Sequence, residues 1–157
     1  MLKKLLRLWK ITPIDVIVYS MTKDTIADFK NLEYPIQVAQ ISPNKKQFFI
    51  KDEGLLIHQS FLFRKLWLLR IIKEVGPAIG DCSTLDAYKG KSIYPYVINY
   101  IAKVELLHNN QQEVFIIVNS NNESSIRGIE KAGFKRHTTI KAKRFLVFHF
   151  GVQRNSN

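Results

Sequence analysis

The stretch Leu85-Asp-Ala-Tyr-Lys-Gly-Lys-Ser-Ile-Tyr94 sets Gly90 between Lys89 and Lys91, after a β-rich run and just ahead of a helical pattern. Such a turn aims several backbone N–H groups, the positive end of a helix and lysine charge at one point, which is what a pyrophosphate requires. The plain alternative is a solvated basic turn. A second segment, Asn122-Glu-Ser-Ser-Ile-Arg-Gly-Ile-Glu-Lys-Ala-Gly-Phe134, opens on a residue suited to capping a helix and closes on Gly133, suited to a left-handed C-terminal cap. Ser125, Ile129 and Ala132 share one side at helical spacing, so a capped amphipathic helix accounts for this segment by itself.

Groups able to move protons lie on or beside the central strands. His58 can take a proton from an ammonium near neutral pH, and the carboxylates Glu74, Asp81 and Asp86 are the other candidate bases. Asp81 would need burial to raise its pKa; otherwise it is a turn or ion-pair residue, as His58 is otherwise a structural or exposed strand residue. Tyr94 and Tyr96 could protonate a leaving group, against the plainer reading of core or rim residues. Cys82, the one cysteine, reads as a small strand-packing residue. A single cysteine excludes an intrachain disulfide and a thiolate-rich zinc site, and no metal is expected.

Residues 81–94 resemble the acyl-CoA pyrophosphate loop of the GNAT acetyltransferases: a basic residue, two positions, Gly, one position, then Gly or Ala. The matching residues are Lys89, Ser92 and Tyr94, with Ser92 standing in place of Gly and Tyr94 in place of Gly or Ala. The segment from Asn122 to Phe134 is similar to that superfamily's other coenzyme-side motif, an Asn, a helix and a closing Gly-Phe, and it follows at the right distance. The resemblance implies an α/β fold with a mixed, twisted central β-sheet flanked by helices, residues 76–134 forming the acetyl-CoA half. It implies that Cys82, Ser83, Thr84 and Leu85 line the thioester through their backbone. It implies further that Lys89, Gly90, Lys91, Ser92, Ile93 and Tyr94 hold the pyrophosphate and that Asn122 and Ser125 lie beside the pantetheine arm.

The activity so implied is direct transfer of an acetyl group from acetyl-CoA, as co-substrate, to a primary amine. His58 or Asp81 would be the base. The position four before Gly133 often carries a proton-donating Tyr in this superfamily; here it is Ile129, which has no proton to give, so either another group such as Tyr94 or Tyr96 supplies it, the thiolate leaves with solvent assistance, or the protein is not catalytic. The loop with Ile93-Tyr-Pro-Tyr96 is similar to bacterial members associated with surface-polysaccharide synthesis, which implies an amino sugar carried on a nucleotide as acceptor. The competing reading is a non-catalytic module of the same fold that holds nucleic acid or an anionic membrane through its basic face.

The chain that must position these residues has 157 of them, about one domain's worth, and one domain over 1–157 is expected. Its net charge of +11 favours anionic ligands without choosing among them, and no nucleic-acid module accompanies it. Apolar runs are broken by Arg64, Lys65, Arg70 and Lys73 before they reach membrane-spanning length, so no membrane span is expected; the single cysteine fits a reducing, cytoplasmic setting, and the oligomeric state is open. Residues 1–11 read as a basic amphipathic helix, its Leu2, Leu5, Leu6 and Trp9 suited to docking on the protein's own body or, through residues 1–10, on an anionic membrane surface.

Periodicity predicts a strand over Ile14 to Tyr19, a helix over Thr22 to Asn31, and an antiparallel meander from Ile36 to Ile72 that reverses near Pro43 and at Asp52-Glu-Gly54. Beyond it come a strand from Gly76 to Thr84, a helix from Tyr94 to Leu107, a buried strand from Glu113 to Val118 and the helix after Asn122. A closing hairpin is expected around Lys141 to Lys143, with a frayed tail from Gln153.

Overall fold

The computed structural model describes residues 12–145 and 148–156; the amphipathic stretch 1–11 lies outside the described residues. Four strands come first: β1 (Thr12–Thr22), β2 (Gln37–Ser42), β3 (Lys45–Asp52) and β4 (Leu55–Phe63). After a short helix α1 (Trp67–Ile71) come β5 (Ala78–Thr84), α2 (Ile93–Lys103), β6 (Glu113–Asn119), α3 (Glu123–Lys131), β7 (Lys135–Phe145) and β8 (Phe148–Ser156). The strands form one sheet in the order β2-β3-β4-β5-β6-β1-β7-β8, in which β5 and β6 are the parallel pair. The chain is thus a mixed α+β fold, as the sequence predicts.

The expected meander exists because its turns are chemically suited to it. Between β3 and β4, Glu53 (φ +48°) and Gly54 (φ +83°) both take left-handed conformations, and Asp52 pairs with Leu55 across a two-residue turn. The end of the predicted meander differs: Trp67–Ile71 is helical, because Leu68, Leu69 and Ile72 then bury one face against the sheet.

Both faces of the sheet's middle are covered. On one face, Ile17, Tyr19 and Met21 of β1 and Val114, Ile116 and Val118 of β6 pack under Val97, Ile98 and Ile101 of α2 and Ile129 of α3. On the other, Val16, Val18, Phe115 and Ile140 meet Leu68, Leu69 and Ile72. Strand β1 therefore alternates between two cores, and all of Val16 to Tyr19 is buried.

Three sequence expectations are corrected. The helix over Thr22 to Asn31 is a single 3-10 turn, Lys23–Thr25, closed by the Thr22 N–H donating to Thr25 Oγ1 at 2.9 Å. The Ala27 carbonyl that a continuing helix would need accepts instead from Asn99 Nδ2 of α2 at 3.0 Å, and Ile26, Leu32, Tyr34 and Ile36 reach the core from an irregular segment. The last hairpin does not turn at Lys141 to Lys143: the β7–β8 ladder continues past it to the pairing of Phe145 with Phe148, and the Lys141 to Lys143 region carries a register shift inside that ladder. Gln153 to Ser156 is part of β8 rather than a frayed tail. Arg154 anchors it, donating to the Ile72 carbonyl at 2.9 Å and to Glu74 Oε1 at 2.7 Å.

Gly133 closes α3 with φ +98°, and a Cβ there would lie 2.4 Å from the Ala27 Cβ. Gly133→Ala should cost roughly 2 kcal/mol or more, from the left-handed backbone and the clash together. In urea denaturation, Ala27→Gly in the same chain should restore the clash portion but not the backbone portion.

Candidate functional site

Strands β5 and β6 pair at two positions, Ala78 with Phe115 and Ile79 with Ile116, and then diverge. The cause lies on the other side of β5. Gln59 pairs with Ser83 and Phe61 with Gly80, so two steps along β4 match three along β5, and the extra residue is accommodated at Asp81 with φ +49°. A bulge of this kind bends its strand and ends pairing on the far edge. The freed backbone edge of Cys82, Ser83 and Thr84 forms one wall of a cleft of about 700 Å³.

The opposite wall is built from two helix starts. Ahead of α2, Gly90 takes φ +78° with open space where a Cβ would stand, and Ser92 takes φ +62° as the residue before the helix. The Ser92 carbonyl accepts from Tyr96 N–H at 3.1 Å, and Pro95 has no N–H, which leaves the Ile93 and Tyr94 amides unspent by the helix. On α3, Asn122 Oδ1 caps the helix by accepting from Ser125 N–H at 3.1 Å.

Positive charge gathers at this mouth. Lys131 Nζ donates to Ser92 Oγ at 2.7 Å, Lys89 pairs with Asp86 at 2.6 Å, and Arg127 pairs with Glu123 at 3.5 Å. Solvent-exposed pairs of this kind contribute little, so these cations can turn to an anion at small cost. Tyr88 fixes the loop from below, its hydroxyl donating to Asp52 Oδ2 at 2.9 Å while Lys91 Nζ lies 4.5 Å from its ring centroid.

Of the residues singled out in the sequence as ligand-holding, Cys82, Ser83, Thr84, Lys89, Gly90, Ser92, Ile93, Tyr94, Asn122 and Ser125 line the cleft. Leu85 and Lys91 do not. Leu85 is exposed with its N–H donating to the Ile57 carbonyl at 2.9 Å, and Lys91 is drawn onto Tyr88. Asp81 is also displaced: the bulge turns its side chain outward to pair with Lys45 at 3.3 Å, a solvated position unlike the burial a carboxylate base would need. Glu74 is committed elsewhere, to His137 and Arg154.

His58 is 1% exposed, with Nδ1 2.7 Å from Thr84 Oγ1 and Nε2 2.8 Å from Ser60 Oγ. Burial pushes its pKa down to about 4. It sits behind the β5 wall, and Thr84 stands between it and the cleft. Burial pushes the Cys82 thiol up to about 12, so it rests as a neutral thiol.

Sequence reasoning missed Tyr88, Pro95, Ser124, Arg127, Gly128 and Lys131 on the cleft wall. The spacing of Arg127 and Lys131, four apart on α3, was the available signal for a basic helix face. Gly128 carried another, since a mid-helix glycine asks for a close neighbour: a Cβ there would come 2.6 Å from Tyr94 Cδ1.

No protein-family model matches the sequence, and no curated protein does either. Solved structures match the fold. A GNAT-family acetyltransferase from Colwellia psychrerythraea superposes with a TM-score of 0.60 at 14% identity over 87% of this chain. A Drosophila protein gives 0.64 at 13% over 93%, and a GCN5-related N-acetyltransferase from Kribbella flavida gives 0.58 at 8% over 88%. The chain spans 57%, 56% and 61% of their respective lengths. The fold is that of the GNAT acetyltransferases.

Because His58 has a folded pKa below its ordinary value, the unfolded chain binds the extra proton. The fold should therefore lose stability as pH falls from about 6.5 to about 4, by on the order of 3 kcal/mol from this residue. An NMR titration should find the His58 ring resonances flat above pH 5.

Proposed function

We propose that this chain is an acetyl-CoA-dependent N-acetyltransferase, acting as a single domain in which residues 76–134 hold the coenzyme. The observation that carries the reading is the divergence of β5 from β6, which leaves a strand edge with no strand partner beside a basic, amide-rich turn. A pantetheine arm carries amide groups at the spacing an extended chain offers, so it can take the place of a β6 strand along Cys82 to Thr84. The pyrophosphate then meets the Ile93 and Tyr94 amides and the charges of Lys89 and Lys131.

With the coenzyme held in this way, a primary amine attacks the thioester carbonyl directly. A backbone N–H on the freed edge of β5 supports the oxygen as it gains charge. A covalent route through Cys82 is disfavoured by its raised pKa, since the thiolate is the nucleophile. His58 reaches the cleft through Thr84, so any base role passes through that hydroxyl. The net charge of +11 suits an anionic acceptor, an amino sugar carried on a nucleotide being the first to test.

Calorimetric titration with acetyl-CoA at moderate salt should give saturable binding. Lys89→Ala combined with Lys131→Ala should weaken it about tenfold or more, the loss expected for charge-assisted contacts, whereas Lys91→Ala alone should do much less. No heat from the wild-type protein at millimolar coenzyme would rule the reading out.

A further inference from the structure

We infer that one end of the sheet, together with residues 1–10, is a docking surface for an anionic lipid bilayer. The inference goes beyond the coenzyme reading and does not depend on it. It begins with the directions of the strands. Strands β5 and β6 run in parallel toward Thr84 and Asn119, and β1, antiparallel to β6, starts at the end where they finish. Because β4 is antiparallel to β5 and β7 to β1, Leu55 and Phe145 come to that end as well. The cleft mouth, the β3–β4 turn and the point where residues 1–11 join the sheet at Thr12 therefore share one end of the molecule.

Leucines stand in solvent at this end: Leu55 is 52% exposed, Leu56 40% and Leu85 42%. They are neighbours, since the Leu85 N–H donates to the carbonyl of Ile57, the residue after Leu56. Exposed cations flank them, Lys89 and Arg127 at the cleft and Lys141 and Lys143 on β7, opposite Asp15 and Pro13 of β1. The acids here are largely matched. Asp15 pairs with Lys141 at 3.9 Å, Asp86 with Lys89 at 2.6 Å and Glu123 with Arg127 at 3.5 Å, while Asp52 accepts from the Tyr88 hydroxyl. Glu53 shares the β3–β4 tip with Lys51.

Ahead of Thr12 the sequence adds Lys3, Lys4, Arg7 and Lys10, no acid, and Leu2, Leu5, Leu6, Leu8 and Trp9. A segment of that pattern meets an anionic bilayer in two ways, its cations at the headgroups and its leucines and indole at the acyl boundary. Ten residues in a helix reach about 15 Å, and the three strand steps from β1 to β4 cover about the same, so the segment and the Leu55–Leu56–Leu85 patch fit one flat surface. Charge alone would suit a nucleic acid equally. The leucines decide for lipid, because a phosphate backbone offers them nothing to be buried in. Docking brings the cleft mouth to the bilayer.

Vesicle flotation tests this on the wild-type protein, on Leu5→Ser with Trp9→Ser, and on Leu55→Ser with Leu85→Ser. Phosphatidylcholine vesicles containing phosphatidylglycerol should carry the wild type upward, and vesicles of phosphatidylcholine alone should carry little. Each double variant should bind about tenfold more weakly or less, from the apolar area it no longer inserts, while its melting temperature stays that of the wild type. Absence of flotation with the anionic vesicles overturns the inference. So does flotation that both variants retain in full, or flotation that a single-stranded oligonucleotide abolishes by binding the wild type and both variants equally, which would assign the charge to polyanions in general. A lowered melting temperature of Leu5→Ser with Trp9→Ser, without flotation of the wild type, would put residues 1–10 on the protein's own body and overturn it too. Flotation by a protein that does not bind acetyl-CoA would leave the docking surface standing and remove the coenzyme reading.

Discussion

Two residue pairs join β5 to β6, and the rest of the molecule is arranged around keeping that join short and firm. Its root is tight: the Phe115 N–H donates to the Pro77 carbonyl at 2.9 Å, and Gly76 lies so near that a Cβ would come 2.6 Å from the Glu113 carbonyl oxygen. Beyond Ile79 the bulge at Asp81 takes over and the strands part. A parallel pair clamped at one end and opened at the other is a hinge-like wedge in shape, yet nothing in it needs to move, because the opening is enforced by covalent register along β4.

The polar groups below the wedge support the same geometry. Glu74 gathers His137 at 2.9 Å and Arg154 at 2.7 Å, and His137 sets its ring edge-on to Phe115 with centroids 5.7 Å apart. Burial pushes the Glu74 carboxyl up in pKa, but the hydrogen bonds from His137 and Arg154 outweigh it and hold the group below its ordinary range. Phe115, a partner in the β5–β6 join, is therefore backed by a cluster drawn from the α1–β5 loop, β7 and β8. Above the wedge the arrangement is reversed: exposed lysines and an arginine with loose partners, ready to be redirected.

Much of this was legible in the residues, for reasons that differ by position. The turn chemistry of Glu53-Gly54, the cap at Asn122 and the closing Gly133 are local signals, and each predicts its own backbone conformation. Most of the cleft lining came instead from the resemblance of the segments around Lys89 and Asn122 to a known family, since the basic turn by itself fits a solvated loop equally well. What could not be read was what depends on partners distant in sequence. Thr22 to Asn31 carries apolar residues that a helix could use, but the Ala27 carbonyl is claimed by Asn99, seventy-two positions away. Asp81 looked like a strand carboxylate, and only the unequal step count between β4 and β5 turns it to solvent. The pairing of Tyr94 with Gly128 is likewise a contact between two helices whose sequences do not mention each other.

The place of β1 has a consequence for how the protein is made. It is the first strand described, yet it lies between β6 and β7, hydrogen-bonded to residues 113–119 on one side and 135–144 on the other. A ribosome delivering this chain exposes Val16 to Tyr19, apolar on both faces, long before either neighbour has emerged. Those residues must be shielded during synthesis by transient collapse or by chaperones, and this part of the sheet closes only after residues 135–144 have emerged.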